Sequence, residues 1–173
     1  MLTKAEPTRP TPTAPRPILV LGLGNILLRD EGVGVRVVQS MQRMDLPPGV
    51  ELLDGATGGL DLLDALADRQ KVIVIDAIEG DYEPGTVLRL NQDDLAVKAS
   101  MGVSLHDLGL LELLVAAAQL GIAPAEVIIL GVKPKEVEYG LELSPQTAAL
   151  LPKIINLVFA ELDTCNNAQP VSA

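Results

Sequence analysis

Aromatic residues are nearly missing from this chain. It has no tryptophan, and Tyr82, Tyr139 and Phe159 are the whole aromatic set among 173 residues. The core must therefore be aliphatic, built from leucine, valine and isoleucine. Cysteine is scarcer still: Cys165 stands alone, which excludes an intrachain disulfide and suits a reducing cytoplasm. Histidine also occurs once, at His106. Positive charge is outweighed, with 13 basic against 23 acidic residues and a formal net charge of −10. Nucleic acids and anionic membranes are bound through basic footprints, so neither is an expected partner. No stretch reaches the roughly 18 uninterrupted apolar residues of a membrane span.

Apolar side chains, in contrast, are plentiful at 48% of the chain, enough for a core that needs no disulfide or metal staple. The length suits one domain. Residues 1–17 carry Pro7, Pro10, Pro12, Pro15 and Pro17 with no apolar run, which reads as an extended, disordered leader rather than a secretory signal. Residues 18–162 form the expected single α/β domain, and 163–173 a polar, flexible tail. A cytoplasmic monomer is expected.

Within the domain, "PILVLGLG" (Pro17–Gly24) is a short apolar run closed by glycine, as in a buried parallel strand. Val33, Val37, Met41 and Met44 then recur at helical period. "VELLD" (Val50–Asp54) reads as a second strand, "GATGG" (Gly55–Gly59) as a tight loop into a helix, and "KVIVIDAI" (Lys71–Ile78) as the strongest strand. "PGTVLRL" (Pro84–Leu90) fits an edge strand or hairpin arm. Ser104 and Asp107 resemble a capping box opening a helix to about Gln119, and "AEVIILGV" (Ala125–Val132) gives a fifth strand. Ser144 and Pro145 cap and begin a last helix, which Pro152 is expected to kink. The alternation predicts a three-layer α/β sandwich, with a mostly parallel, twisted sheet of about five strands flanked by helices.

"GLGNILLRDEGVGVRV" (Gly22–Val37) begins like a dinucleotide-binding turn. The third glycine of that fingerprint is replaced by Leu27, however, and the helix start offers Asp30 and Glu31 where pyrophosphate would sit. Two like charges about 4 Å apart repel by about 4 kcal/mol at an effective dielectric near 20, which disfavours that ligand. Capping would use one acid at the helix start. The other is left to act elsewhere.

In open α/β sheets, ligands bind beyond the carboxyl ends of the parallel strands. Glu31 follows strand one there, Asp76 ends the third strand, and His106 lies in the first turn of the helix from Ser104. Two oxygens and one imidazole nitrogen would suit nickel, zinc or iron(II) and leave coordination positions open. No local metal motif such as His-Glu-x-x-His is present, and a first-turn histidine is also a common surface or capping residue.

"ILVLGLGNILLRDEGVGVRVV", "ELLDGATGGLDLLDAL", "VIVIDAI" with "PGTVLRL", and "SLHDLGLLELL" together resemble the [NiFe]-hydrogenase maturation endopeptidases. The likeness runs from about Ile18 to Leu162. Its most specific pieces are Gly-x-Gly-Asn-x-Leu-x-x-Asp-Glu at Gly22–Glu31 and His-x-Leu-Gly-Leu at His106–Leu110. The resemblance implies a protease that removes the C-terminal extension of a hydrogenase large-subunit precursor once nickel is inserted. It also implies that Glu31, Asp76 and His106 hold the metal, which is nickel borne by the substrate or bound transiently. Zinc or cadmium could take the same site in vitro.

With one histidine engaged and Cys165 in the tail, a serine- or cysteine-protease device is not expected. Hydrolysis would rest on a metal-polarised carbonyl or water, or on a carboxylate base, as in an aspartyl protease. Asp54, beside Gly55–Gly59, is the candidate base, and an Asx turn explains it equally well. Two other readings stand beside this one: a dinucleotide-binding, oxidoreductase-like module, and a non-catalytic nickel-binding maturation chaperone.

Overall fold

The computed structural model describes residues 18–57, 59–94 and 108–166. Among these residues, the strands and main helices follow one another as β1 (Ile18–Leu23), α1 (Val33–Met41), β2 (Val50–Ala56), α2 (Leu63–Leu66), β3 (Lys71–Ala77), β4 (Val87–Asn91), α3 (Leu108–Gln119), β5 (Glu126–Val132) and α4 (Pro145–Asn166). The sheet order is β2-β1-β3-β5-β4. The first four strands in that order run parallel, and β4 closes the edge antiparallel to β5. The expected α/β sandwich is the one observed, and the shorter, less apolar fourth strand is indeed an edge.

Strand alternation makes the three layers. Leu19, Leu21, Val72, Val74, Val127 and Ile129 face one side, where they meet Leu62, Leu66, Leu110, Leu113 and Leu114 from the α2 and α3 side. Val20, Ile73, Ile75, Ile128 and Leu130 face the other, against Val33, Val37 and Met41 of α1 and Ile154, Val158 and Leu162 of α4. A strand buried on both faces is apolar along its middle, and β3, buried along its whole length, keeps its two charged residues, Lys71 and Asp76, for its ends.

The one cation in β3, Lys71, sits at the amino edge of the sheet. Its Nζ donates to the Glu161 carboxylate (3.0 Å), to the Glu161 carbonyl (3.1 Å) and to Thr164 Oγ1 (3.2 Å). Arg89 of β4 grips the same carboxylate. Its hydrogen bond, aided by Lys71, holds the Glu161 carboxyl below its ordinary range. This cluster fastens the end of α4 to the sheet, so the helix continues to Asn166 instead of fraying from Asp163. The helix runs through Pro152 without a break. Ser144 is the expected cap: its Oγ accepts the Thr147 N–H at 3.3 Å. Among the described residues, no helix is long and apolar enough to cross a membrane. The leader, the Ser104–Asp107 capping box and the last seven residues lie outside the described residues.

Candidate active site at the carboxyl edge of the sheet

The chain leaves β1 for β2 on one side and then crosses to β3 on the other. The β1/β3 boundary is therefore the switch point at which open α/β sheets bind ligands. Glu31 and Asp76 flank it. Glu31 lies in a 3-10 turn, Arg29–Gly32, directly after the glycine loop, and that turn packs against β3. Asp76 is the penultimate residue of β3, and its Oδ1 accepts the N–H of Ala77 at 2.8 Å. Both carboxylates are buried.

Glycine allows this close approach. A Cβ on Gly34, in the first turn of α1, would lie 2.1 Å from the Ile75 carbonyl oxygen, so only glycine lets the helix start rest on β3 beside Asp76. Gly24 has φ +121, and a Cβ there would lie 1.9 Å from the Glu31 carbonyl oxygen. The glycine loop thus lies directly against the chain's own acidic turn, which places Asp30 and Glu31 where a phosphate would meet like charge.

Asp30 corrects the capping expectation. The N-cap positions of the 3-10 turn and of α1 are Leu28 and Gly32, and neither makes a side-chain cap bond. Asp30 reaches across to the segment between β5 and α4 instead, where Oδ2 accepts the N–H groups of Lys135 and Glu136 (both 3.0 Å) and the Ser144 hydroxyl (2.7 Å). Its Oδ1 accepts the Ser144 N–H at 2.7 Å. Burial alone would push this carboxyl up; the bonds from Ser144 and Glu136 outweigh it and hold Asp30 below its ordinary value.

Asp54 stands in β2 at a bulge. Gly22 pairs with Asp54 and Leu23 with Ala56, so Gly55 is the extra residue and belongs to the strand rather than to the expected loop. Bulges re-aim neighbouring side chains. Asp54 Oδ1 accepts the Ala56 N–H at 3.0 Å, which is the Asx turn anticipated for it, and Oδ2 faces Gln39 Nε2 at 3.5 Å. The residue is exposed and lines a cleft of about 290 Å³ with Asn25, Ile26, Leu27, Val35 and Thr57. Glu31 and Asp76 lie outside that wall.

His106 falls outside the described residues. Among the described residues, no group of three His, Cys, Asp or Glu side chains could hold a metal. Two members of the expected trio therefore flank one strand boundary, and the third is not described. The contributions of Gln39 and of the bulge had no signal in the sequence, because both depend on the packing of α1 over β1 and β2. The reach of Asp30 to Ser144 spans 114 positions and was equally hidden.

Fold and site together define an α/β protein with two buried carboxylates flanking its sheet switch point. The hydrogenase maturation protease family model matches residues 35–161. The hydrogenase 2 maturation protease of Escherichia coli K12 is 40% identical over 147 residues, covering 84% of this chain and 90% of that protein. The hydrogenase expression/formation protein HupD of Rhodobacter capsulatus is 40% identical over 153 residues, 86% of this chain and 72% of that one. Among solved structures, the hydrogenase maturating endopeptidase HybD from E. coli superposes with a TM-score of 0.80 at 38% identity, covering 86% of this chain and 93% of its own. The chain belongs to the hydrogenase maturation protease family and is, by that membership, a peptide-bond hydrolase.

Proposed function

We propose that this chain removes the C-terminal extension of a [NiFe]-hydrogenase large-subunit precursor after nickel insertion, using the inserted nickel as its recognition element. Glu31, Asp76 and His106 would complete the coordination of an ion that arrives with the substrate. The observation that carries this reading is the pair of buried carboxylates on the two sides of the β1/β3 switch point. Such a pair supplies two oxygen donors, and one imidazole would leave positions open for the precursor's own ligands. The scissile peptide would lie along the neighbouring cleft, where Asp54 is the candidate base. Its Oδ2, which takes only the long 3.5 Å contact from Gln39 Nε2, is the oxygen that would face a water, since Oδ1 serves the turn. The enzyme acts as a monomer in the cytoplasm on this reading.

The test uses one purified precursor in nickel-loaded and nickel-free forms. The loaded form is cut and the nickel-free form is not. Equal cutting of the two would overturn the metal-recognition step.

A further inference from the structure

Four large apolar side chains stand in water on the two segments that the Leu28–Gly140 bridge joins, one of which borders the cleft. Leu27 is 53% exposed, Val137 48%, Tyr139 91% and Leu141 59%. With three aromatics in the chain, placing one almost wholly in solvent is a costly use of a scarce residue.

The backbone beneath these side chains is held from several directions. Leu28 and Gly140 form a parallel bridge; the Gly140 N–H donates to the Leu27 carbonyl at 2.9 Å and the Arg29 N–H to the Gly140 carbonyl at 3.0 Å. The Arg29 guanidinium pairs with Glu136 and Glu138. Asp30 fixes residues 135, 136 and 144, and Arg36 Nη2 donates to the Leu141 carbonyl at 2.6 Å. A segment pinned this way presents its side chains with little ordering cost left for a binding event. Tyrosine suits that use, because it offers large area on two rotatable bonds.

Leu27 lines the wall of the Asp54 cleft, and its carbonyl accepts the Gly140 N–H, so the segment carrying Val137, Tyr139 and Leu141 is paired to that wall through its backbone. The cleft volume of about 290 Å³ is at the lower end for small-ligand pockets and admits only a few residues of a peptide. The rest of a protein substrate must seat beside it.

We infer that Leu27, Val137, Tyr139 and Leu141 form the docking surface for the folded body of the precursor whose tail enters the cleft, with Tyr139 as the anchor. This rests on the function proposed above. The experiment measures processing of nickel-loaded precursor, and direct binding to it, for the full chain and for Tyr139→Ser and Leu141→Ser. Each substitution raises KM and weakens binding by about tenfold or more, with kcat near that of the unaltered chain and an unchanged melting midpoint. Tyr139→Phe retains most of the affinity, because the ring supplies the contact. Unchanged KM and affinity in both serine variants, with processing intact, overturns the surface and leaves the function standing. Precursor binding that depends on Tyr139 without any cleavage upholds the surface and overturns the function. A dimer of this chain that dissociates on Tyr139→Ser, with unaltered processing, also overturns it and gives the patch to a second copy.

Discussion

Replacing Asp30 by alanine removes the acceptor of four hydrogen bonds at once. The Ser144 N–H is fully buried and has lost its partner, at a cost of about 1–3 kcal/mol for an orphaned donor. The Ser144 hydroxyl keeps Thr147 Oγ1 at 3.2 Å and suffers less. The Lys135 and Glu136 N–H groups are only partly buried and can turn to water, so each loses about 1 kcal/mol. The sum is about 3–5 kcal/mol, a drop in melting midpoint of roughly 10 °C for a domain of this size. Asp30→Asn falls between, because one amide oxygen still accepts while its NH2 meets donors. Urea unfolding followed by circular dichroism measures the loss. Glu31→Gln, one residue away, leaves the midpoint nearly unmoved and abolishes processing. An Asp30→Ala loss below about 1 kcal/mol would refute the assignment of this carboxylate as the tie between the acidic turn and the start of α4.

Three further outcomes follow from the geometry. Asp30 and Glu161 both have carboxyls held below their ordinary values, so the unfolded chain takes up protons first; their contribution is full above the ordinary carboxylate range near pH 4 and is lost as pH falls from there through their lower folded-state values. Melting midpoints measured from pH 7 to pH 3 fall steeply below about pH 4, and Glu161→Gln flattens that slope. Gly34→Ala sets a Cβ against the backbone of β3 and lowers stability by about 1–3 kcal/mol despite its better helix propensity, with processing impaired as the Glu31 turn shifts. Glu161→Ala leaves the buried Lys71 ammonium with only the half-exposed Glu126 carboxylate at 3.4 Å as ion-pair partner and costs about 1–3 kcal/mol in urea unfolding, most of which a Lys71→Met, Glu161→Met pair recovers.

The layers of this fold were legible because its strands are buried on both faces. "KVIVIDAI" has nowhere to stand but the middle of a parallel sheet, and Asp76 at its end is conspicuous for the same reason. Glu31 could be placed at the strand edge from its position after β1, without knowing how closely the turn approaches β3. What stayed hidden was long-range pairing. Nothing local distinguishes Asp30 from a helix cap, since its partners at Ser144 and Glu136 come from the far end of the chain. The end of α4 was set too early because polarity after Asp163 suggests fraying, whereas Lys71 catches Thr164 from the opposite side of the sheet. Gly55 looked like a loop residue because a one-residue bulge leaves no composition signature. The fold therefore follows from hydrophobic pattern, and the site follows from the order of the strands.

The central claim is that processing depends on one ligand set facing the substrate's nickel across the β1/β3 boundary. Single-turnover cleavage of a nickel-loaded precursor by Glu31→Gln, Asp76→Asn and His106→Ala, each checked for an unchanged melting midpoint, tests it most directly. All three are expected to lose cleavage together while the unaltered chain trims the precursor to completion. Cleavage at the normal rate by any one of them would contradict the account.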